Sequence, residues 1–227
     1  MRFELMYDSF FKIIQGIPLT LEVVFLSTIF GLFLAVGVAL MRVSNNKIFS
    51  NFAYYFIYTI RGTPLLLQLF FIYYGLAQFT FIRESFLWFF LEDPLFCGIL
   101  TLTLSTAAYS AEIIRGGMQS VAPAYIEAGS SMGMSKMLRL RKIILPITIR
   151  QALPAYGNEL ILMVKATSLI SIVTLMEITG IARTIISKTY APVEIFIVAG
   201  SIYLLINFII TRFIKYAEYR LNHGSIQ

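Results

Sequence analysis

PAYIEAGSSMGMSKMLRLRKIILP, residues 123–146, lies between long apolar runs and is the longest basic, mixed-polarity segment in the chain. Its pattern predicts a short helix, a turn at Gly133 and a second helix, because glycine interrupts the helical period where the chain must reverse. Met132, Met134, Met137 and Leu138 offer soft apolar surface that fits a partner's groove. Lys136, Arg139, Arg141 and Lys142 hold the segment on the aqueous side of a bilayer.

The bilayer itself follows from composition. Of 227 residues, 58% are apolar, and the mean hydropathy is +0.80. A soluble domain is roughly 45–50% apolar, and a helical crossing needs about 20 mostly apolar residues. Five crossings can be placed, at about 17–41, 64–79, 94–114, 155–175 and 195–211. The expected fold is an all-α membrane protein in which residues 1–227 form one transmembrane domain with no soluble core. Residues 1–16 read as an amphipathic interfacial segment. Glu4 and Asp8, a long apolar run and no small-residue cleavage site predict a first span that is not cleaved. One cysteine, Cys97, excludes an intrachain disulfide, and with one histidine there is no His/Cys metal cluster. Cys97 reads as a small packed residue.

The second crossing has two readings. Pro64 suits the first turn of a helix, which starts the span there and leaves NFAYYFIYTI (51–60) as an interfacial aromatic belt. Alternatively one helix runs from residue 51 with a kink at Gly62-Thr63-Pro64, which carries Arg61 deep into the bilayer. RESFLWFFLED (83–93) reads as a short interfacial helix, and 180–194 as a loop.

Charge sets the orientation. The connections at 42–50, 115–150 and 212–227 hold Arg42, Lys47, Arg115, Lys136, Arg139, Arg141, Lys142, Arg150, Arg212, Lys215 and Arg220. The opposite set holds only Arg2, Lys12, Arg83, Arg183 and Lys188. The excess of basic residues marks the cytoplasmic side. The N-terminus is expected outside, and the C-terminus and the 123–146 loop in the cytoplasm. The +6 net charge is thus distributed by topology and does not point to nucleic acid.

Glu127, Ala128, Gly133, Ile143, Leu145 and Pro146 fall in a frame that resembles the EAA loop of bacterial ABC importer permeases: Glu-Ala-Ala, three residues, Gly, nine residues, Ile, one residue, Leu-Pro. Gly129 stands where that family has a second alanine, which weakens the helix by about 0.8–1 kcal/mol. Arg61 to Pro64 followed by LLLQLFFIYYGLAQF, and Tyr109-Ser110-Ala111-Glu112 before Arg115-Gly116-Gly117, resemble the polar amino-acid permeases, most of all the basic amino-acid branch (histidine, arginine, ornithine, octopine). The resemblance implies the type I importer permease fold, spread over about residues 17–220. It implies a loop of about residues 117–150 that docks a cytoplasmic ATPase through Glu127, Ala128, Gly129, Gly133, Met134, Ile143, Leu145 and Pro146. It also implies alternating access driven by that ATPase dimer, a second permease chain, an extracytoplasmic amino-acid-binding protein, and a multi-pass place in the bacterial inner membrane. Departures are Ala122-Pro123-Ala124-Tyr125, where the family has Pro-x-Gly-Gln, and Ile147-Thr148 after the Leu-Pro.

Polar groups inside a span are expensive and mark a pathway. The fourth span carries Asn158, Glu159 and Lys165. Asn158 and Lys165, seven residues apart, share a helix face, and Glu159 points about 100° away. Glu159 and Lys165 are separated by a rise of about 9 Å, too far to pair along one face. A cationic ligand in a wet cavity would partner the Glu159 carboxylate. Asn-Glu recurs at this place in the basic amino-acid permeases, so the resemblance implies a substrate role for both. The bland alternative has them satisfying broken-helix backbone or a neighbouring subunit. Lys165 repels a cationic side chain but suits a carboxylate. Gln68 faces either the pathway or a neighbouring helix. Glu22 in the first span reads as a packed glutamate, and Glu112 with Arg115 as a local pair.

The chain has no GxxxxGK[ST] loop. No cofactor is expected on it, with ATP and Mg²⁺ on the partner, and no enzymatic activity. A secondary transporter would need internal repeats, and an embedded enzyme a catalytic cluster. Neither is visible. A permease for another polar amino acid remains the alternative.

Overall fold

The structure, a computed structural model, describes residues 2–223. Met1 and residues 224–227, the ends of the domain expected over 1–227, lie outside the described residues. Four helical stretches among those residues are long and apolar enough to cross a bilayer: Phe3–Arg42, Pro94–Gln119, Lys136–Val173 and Pro192–Leu221. The bent pair Lys47–Gly62 and Leu65–Gln78, whose axes meet at 103°, is long and apolar enough for a fifth when taken as one span.

The chain begins with α1 (Phe3–Ile13), which passes through a tight turn at Ile14–Gly16 into α2 (Ile17–Arg42). Helix α3 (Lys47–Gly62) is capped by Asn46, whose side chain accepts the Ile48 N–H at 2.9 Å. Pro64 ends that helix, and α4 (Leu65–Phe70) continues through a widened turn to Gln78. Two single turns, α5 (Thr80–Arg83) and α6 (Trp88–Leu91), replace the one interfacial helix expected over 83–93. Asp93 caps α7 (Pro94–Gln119). Then come α8 (Pro123–Ser131), α9 (Lys136–Arg139), α10 (Leu145–Ala166), α11 (Ile178–Thr189) and α12 (Pro192–His223).

Small residues bring the helices together. The buried face of α2 is Thr20, Val23, Ser27, Gly31, Ala35 and Ala39, close to a four-residue repeat. This lets backbones approach without a hydrophobic driving force, which is weak between helices in lipid. A Cβ at Gly31 would lie 2.6 Å from the Thr106 Cβ on α7, so glycine is what admits the contact. On the opposite face, Phe25, Phe33 and Leu40 are exposed and available to lipid.

Helix α10 packs against both α7 and α12. It is longer than the expected fourth span because α9 leads into it through a widened turn at Leu140–Ile144. The region read as a loop at 180–194 folds as α11. Its start is fixed by Glu177, which the sequence reading passed over. Glu177 is fully buried. Its carboxylate accepts the Gly180 N–H at 2.8 Å and the Tyr203 O–H at 2.6 Å. Burial pushes this carboxyl up from its ordinary value, against the pull of those hydrogen bonds. Cys97 is buried, as its packed reading requires, and Glu22 is exposed on α2 rather than packed.

Candidate functional site: a docking loop and a cleft at mid-bundle

The helix–turn–helix of residues 123–146 is present. Pro123 begins α8, where its missing N–H is harmless. The helix ends with Gly133 at φ +75°, and two reverse hydrogen bonds close the end: Met134 N–H to the Gly129 carbonyl and Gly133 N–H to Ser130, both at 3.0 Å. This six-to-one and five-to-two pattern needs a left-handed residue after the helix, which glycine supplies without strain. The Ser135 hydroxyl accepts the Leu138 N–H and starts α9, and Arg139 donates back to the Ser130 hydroxyl.

The unit presents an apolar surface rimmed by charge. Met132 is 80% and Met137 70% exposed. Glu127, Ala128, Gly133 and Leu145 are exposed, while Met134, Ile143 and Pro146 are half-buried. Gly129 is buried. A Cβ there would stand 2.9 Å from the Ile143 Cδ1 and 3.2 Å from the Arg139 Cδ. The glycine that costs helix propensity therefore lets α8 seat closely on the next turn.

The second site is a cleft of about 490 Å³ lined by Arg42, Tyr54, Tyr58, Arg61, Tyr109, Glu112 and Arg115. Its depth can be read from the antiparallel packing of α7 on α10. At the end of the bundle that carries the docking loop, Gly117 abuts Thr148, where a Cβ would lie 2.8 Å from the carbonyl oxygen. Farther in, the Thr106 hydroxyl is 3.9 Å from the Met163 sulfur. Between these marks α7 advances eleven residues and α10 fifteen. From the Thr106–Met163 contact, Tyr109 is three residues along α7 and Glu159 four along α10 toward the loop end, rises of about 4.5 and about 6 Å, so the two are nearly level.

Arg61 lies with its guanidinium carbon 4.8 Å from the centroid of the Tyr109 ring. It therefore lies inside the bundle at the depth of Tyr109, nearly level with Glu159. A helix starts directly after Pro64, as the first reading of span 2 has it, and meets the helix before it at 103°. Residues 51–60 are part of α3, a helix of 16 residues that rises with Arg61 to the break. The break holds because Gln68 repairs it. Its amide nitrogen donates to the Ile60 carbonyl at 2.7 Å, the Thr63 carbonyl at 3.0 Å and the Thr63 hydroxyl at 2.8 Å. Three acceptors occupy both hydrogens of that amide. Gln68 supports the cleft from behind, and its nitrogen is not a substrate donor.

Glu159 is 8% exposed and makes no hydrogen bond or ion pair among the described residues. The one ion pair among those residues joins Arg115 to Glu112, with the Arg115 nitrogens at 2.7 and 2.9 Å from the two carboxylate oxygens. Asn158 is exposed beside Glu159. Lys165 is also exposed, but it lines a separate, apolar groove of about 1220 Å³ with Ile161, Leu205 and Phe208. The structure thus sets Glu159 at nearly the depth of Arg61 and leaves Lys165 apart. Arg61, the residue that sequence reasoning did not assign to the site, had one visible signal: an arginine directly before Gly-Thr-Pro in an otherwise apolar run. Among the described residues no group of three His, Cys, Asp or Glu side chains could hold a metal.

Residues 27–223 match the family described as binding-protein-dependent transport system inner membrane component. The chain is 53% identical over 223 residues to the nopaline transport system permease protein NocM of Agrobacterium fabrum, covering 98% of this chain and 92% of that one. It is 50% identical over 216 residues to the octopine transport system permease protein OccM of Rhizobium meliloti, covering 95% and 88%. Identity is 39% over 206 residues to the histidine/lysine/arginine/ornithine transport system permease protein HisM of Escherichia coli, covering 90% and 87%. A solved amino acid ABC transporter with histidines matches at a TM-score of 0.86 with 34% identity, covering 97% of this chain and 99% of that one. The MetNI methionine transporter matches at 0.73 with 16% identity, a likeness of fold. The apolar helices, the helix–turn–helix of residues 123–146 and these relatives lead to one conclusion: the chain belongs to the family of inner membrane components of binding-protein-dependent transport systems, as a multi-pass permease subunit of an ABC importer and not an enzyme.

Proposed function

We propose that this permease takes up basic amino acids or their derivatives, the class to which the named substrates of its relatives point, and that Glu159 binds the substrate's positive group. The observation that carries this reading is the carboxylate of Glu159, buried at mid-bundle with no hydrogen bond or ion pair among the described residues. A buried carboxylate without a partner is costly, and an ammonium or guanidinium ligand removes that cost through charge-assisted hydrogen bonds. Asn158 contributes at the same level. Lys165, in the apolar groove, is a weaker substrate candidate and suits only a carboxylate.

The 123–146 loop docks a cytoplasmic ATPase, on which ATP and Mg²⁺ are bound. The segment's exposed methionines and Glu127 support this, as does its basic flank, and the distribution of basic residues supports a cytoplasmic loop and C-terminus with the N-terminus outside. Five crossings are too few to enclose a gated cavity, so a second permease chain completes the pathway. A binding protein delivers substrate from outside.

Uptake by proteoliposomes holding the permease, its ATPase and its binding protein tests this. Arginine, histidine, ornithine, lysine and octopine would be offered in turn. At least one should enter only with ATP inside the compartment that the ATPase faces, and Glu159→Gln should cut its uptake at least roughly tenfold. Uptake that runs without ATP, or normal kinetics in Glu159→Gln, would refute the respective half of the reading.

A further inference from the structure

We infer that Arg61, seated on Tyr109 and level with Glu159, is the carboxylate-binding group of the transport site. This rests on the reading of Glu159 as the group that takes the substrate's cation, and deepens it. Three arginines line the cleft, and their hydrogen bonds differ. Arg115 uses its Nε and one terminal nitrogen on Glu112 and the other on Gln119 at 2.8 Å. Arg42 donates to the Ser50 hydroxyl at 3.1 Å and lies 5.2 Å from the Tyr54 ring centroid. Arg61 makes no hydrogen bond or ion pair among the described residues. Its guanidinium carbon lies 4.8 Å from the Tyr109 ring centroid, and its N–H donors have no partner among the described residues.

That edge is preorganised. Gln68 holds the carbonyls of Ile60 and Thr63, the residues on either side of Arg61-Gly62, so the backbone that carries Arg61 is pinned at the helix break. Glycine at 62 leaves open space beside it. A guanidinium over a tyrosine ring keeps a fork of N–H groups, the geometry that matches a carboxylate. An unpaired cation at this depth is otherwise expensive. Every α-amino acid brings one carboxylate. A basic one also brings positive charge, so a site that reads both needs an anion and a cation at one level. Glu159 and Arg61 are that pair, and Gln68 is a positioning residue behind the second.

The test is direct binding of labelled L-arginine, and of agmatine, its analogue without the carboxyl group, to the purified permease–ATPase complex without the binding protein. Wild type should prefer L-arginine by roughly tenfold or more. Arg61→Gln should weaken L-arginine roughly 10- to 100-fold and collapse that preference, with Arg61→Lys in between because a point charge lacks the fork. Retention of the ATPase by each variant establishes that it is folded. An unchanged preference in Arg61→Gln, or no preference in wild type, overturns the role of Arg61. Glu159→Gln should weaken both compounds. If it weakens neither, the reading of Glu159 fails whatever Arg61 does.

Discussion

Every position proposed for docking lies within the 24 residues from Pro123 to Pro146, whereas the cleft draws Arg42, Arg61 and Tyr109 from three separate helices, and Glu159 stands on a fourth outside its lining. The loop is held by local bonds: a glycine-terminated helix end, a serine cap and one arginine that reaches back nine residues. The cleft depends on how α7 lies on α10 and on a repaired break between α3 and α4. The loop should therefore tolerate changes in the bundle's interior poorly only when the bundle itself comes apart, and the cleft should be indifferent to changes at the loop's surface.

The strongest way to break that separation is Gly117→Leu. A side chain there meets the Thr148 carbonyl and drives α7 from α10, which sets the depth of Tyr109 and also anchors the start of α10 beside the loop. A loss of about 3 kcal/mol is expected, read as a large fall in the melting temperature of the purified complex, with transport and ATPase retention lost together. A next, more selective effect is Gly133→Val. No atom lies within 4 Å of the added Cβ, so packing is spared, but φ is +75°. The strain is about 1–2 kcal/mol, confined to the turn. ATPase co-purification should fall while L-arginine binding to the permease is kept. The smallest effect is Gly129→Ala. The gain of about 0.8–1 kcal/mol in helix propensity is offset by the displaced Ile143 side chain, and the melting temperature should move by no more than a degree or two either way. A large loss would show that the close seating of α8 is more rigid than its flexible neighbours imply.

The same contrast explains what could be read from the sequence. The loop was legible residue by residue because its frame is a matter of spacing along one segment. Glu159 was legible because a carboxylate in a span has no bland place to go. Arg61 was not placed, since its depth depends on the 103° bend between α3 and α4 and on the ring of Tyr109 almost fifty residues away. Gln68 was left between two roles that only the positions of Ile60 and Thr63 decide. Lys165, two turns beyond Asn158, lines the apolar groove along α12, apart from the arginines. Helix α11 was missed because its cap, Glu177, is satisfied by Tyr203 from the next helix.

The most direct test of the central claim compares Glu159→Gln and Glu127→Lys side by side in the reconstituted importer, measuring ATP-dependent uptake and the amount of ATPase bound per permease. Glu159→Gln should keep the ATPase and lose uptake, whereas Glu127→Lys should lose the ATPase, and uptake with it. Failure of both variants in the same manner, or full uptake by either, would contradict a permease whose membrane site and docking loop are separate parts.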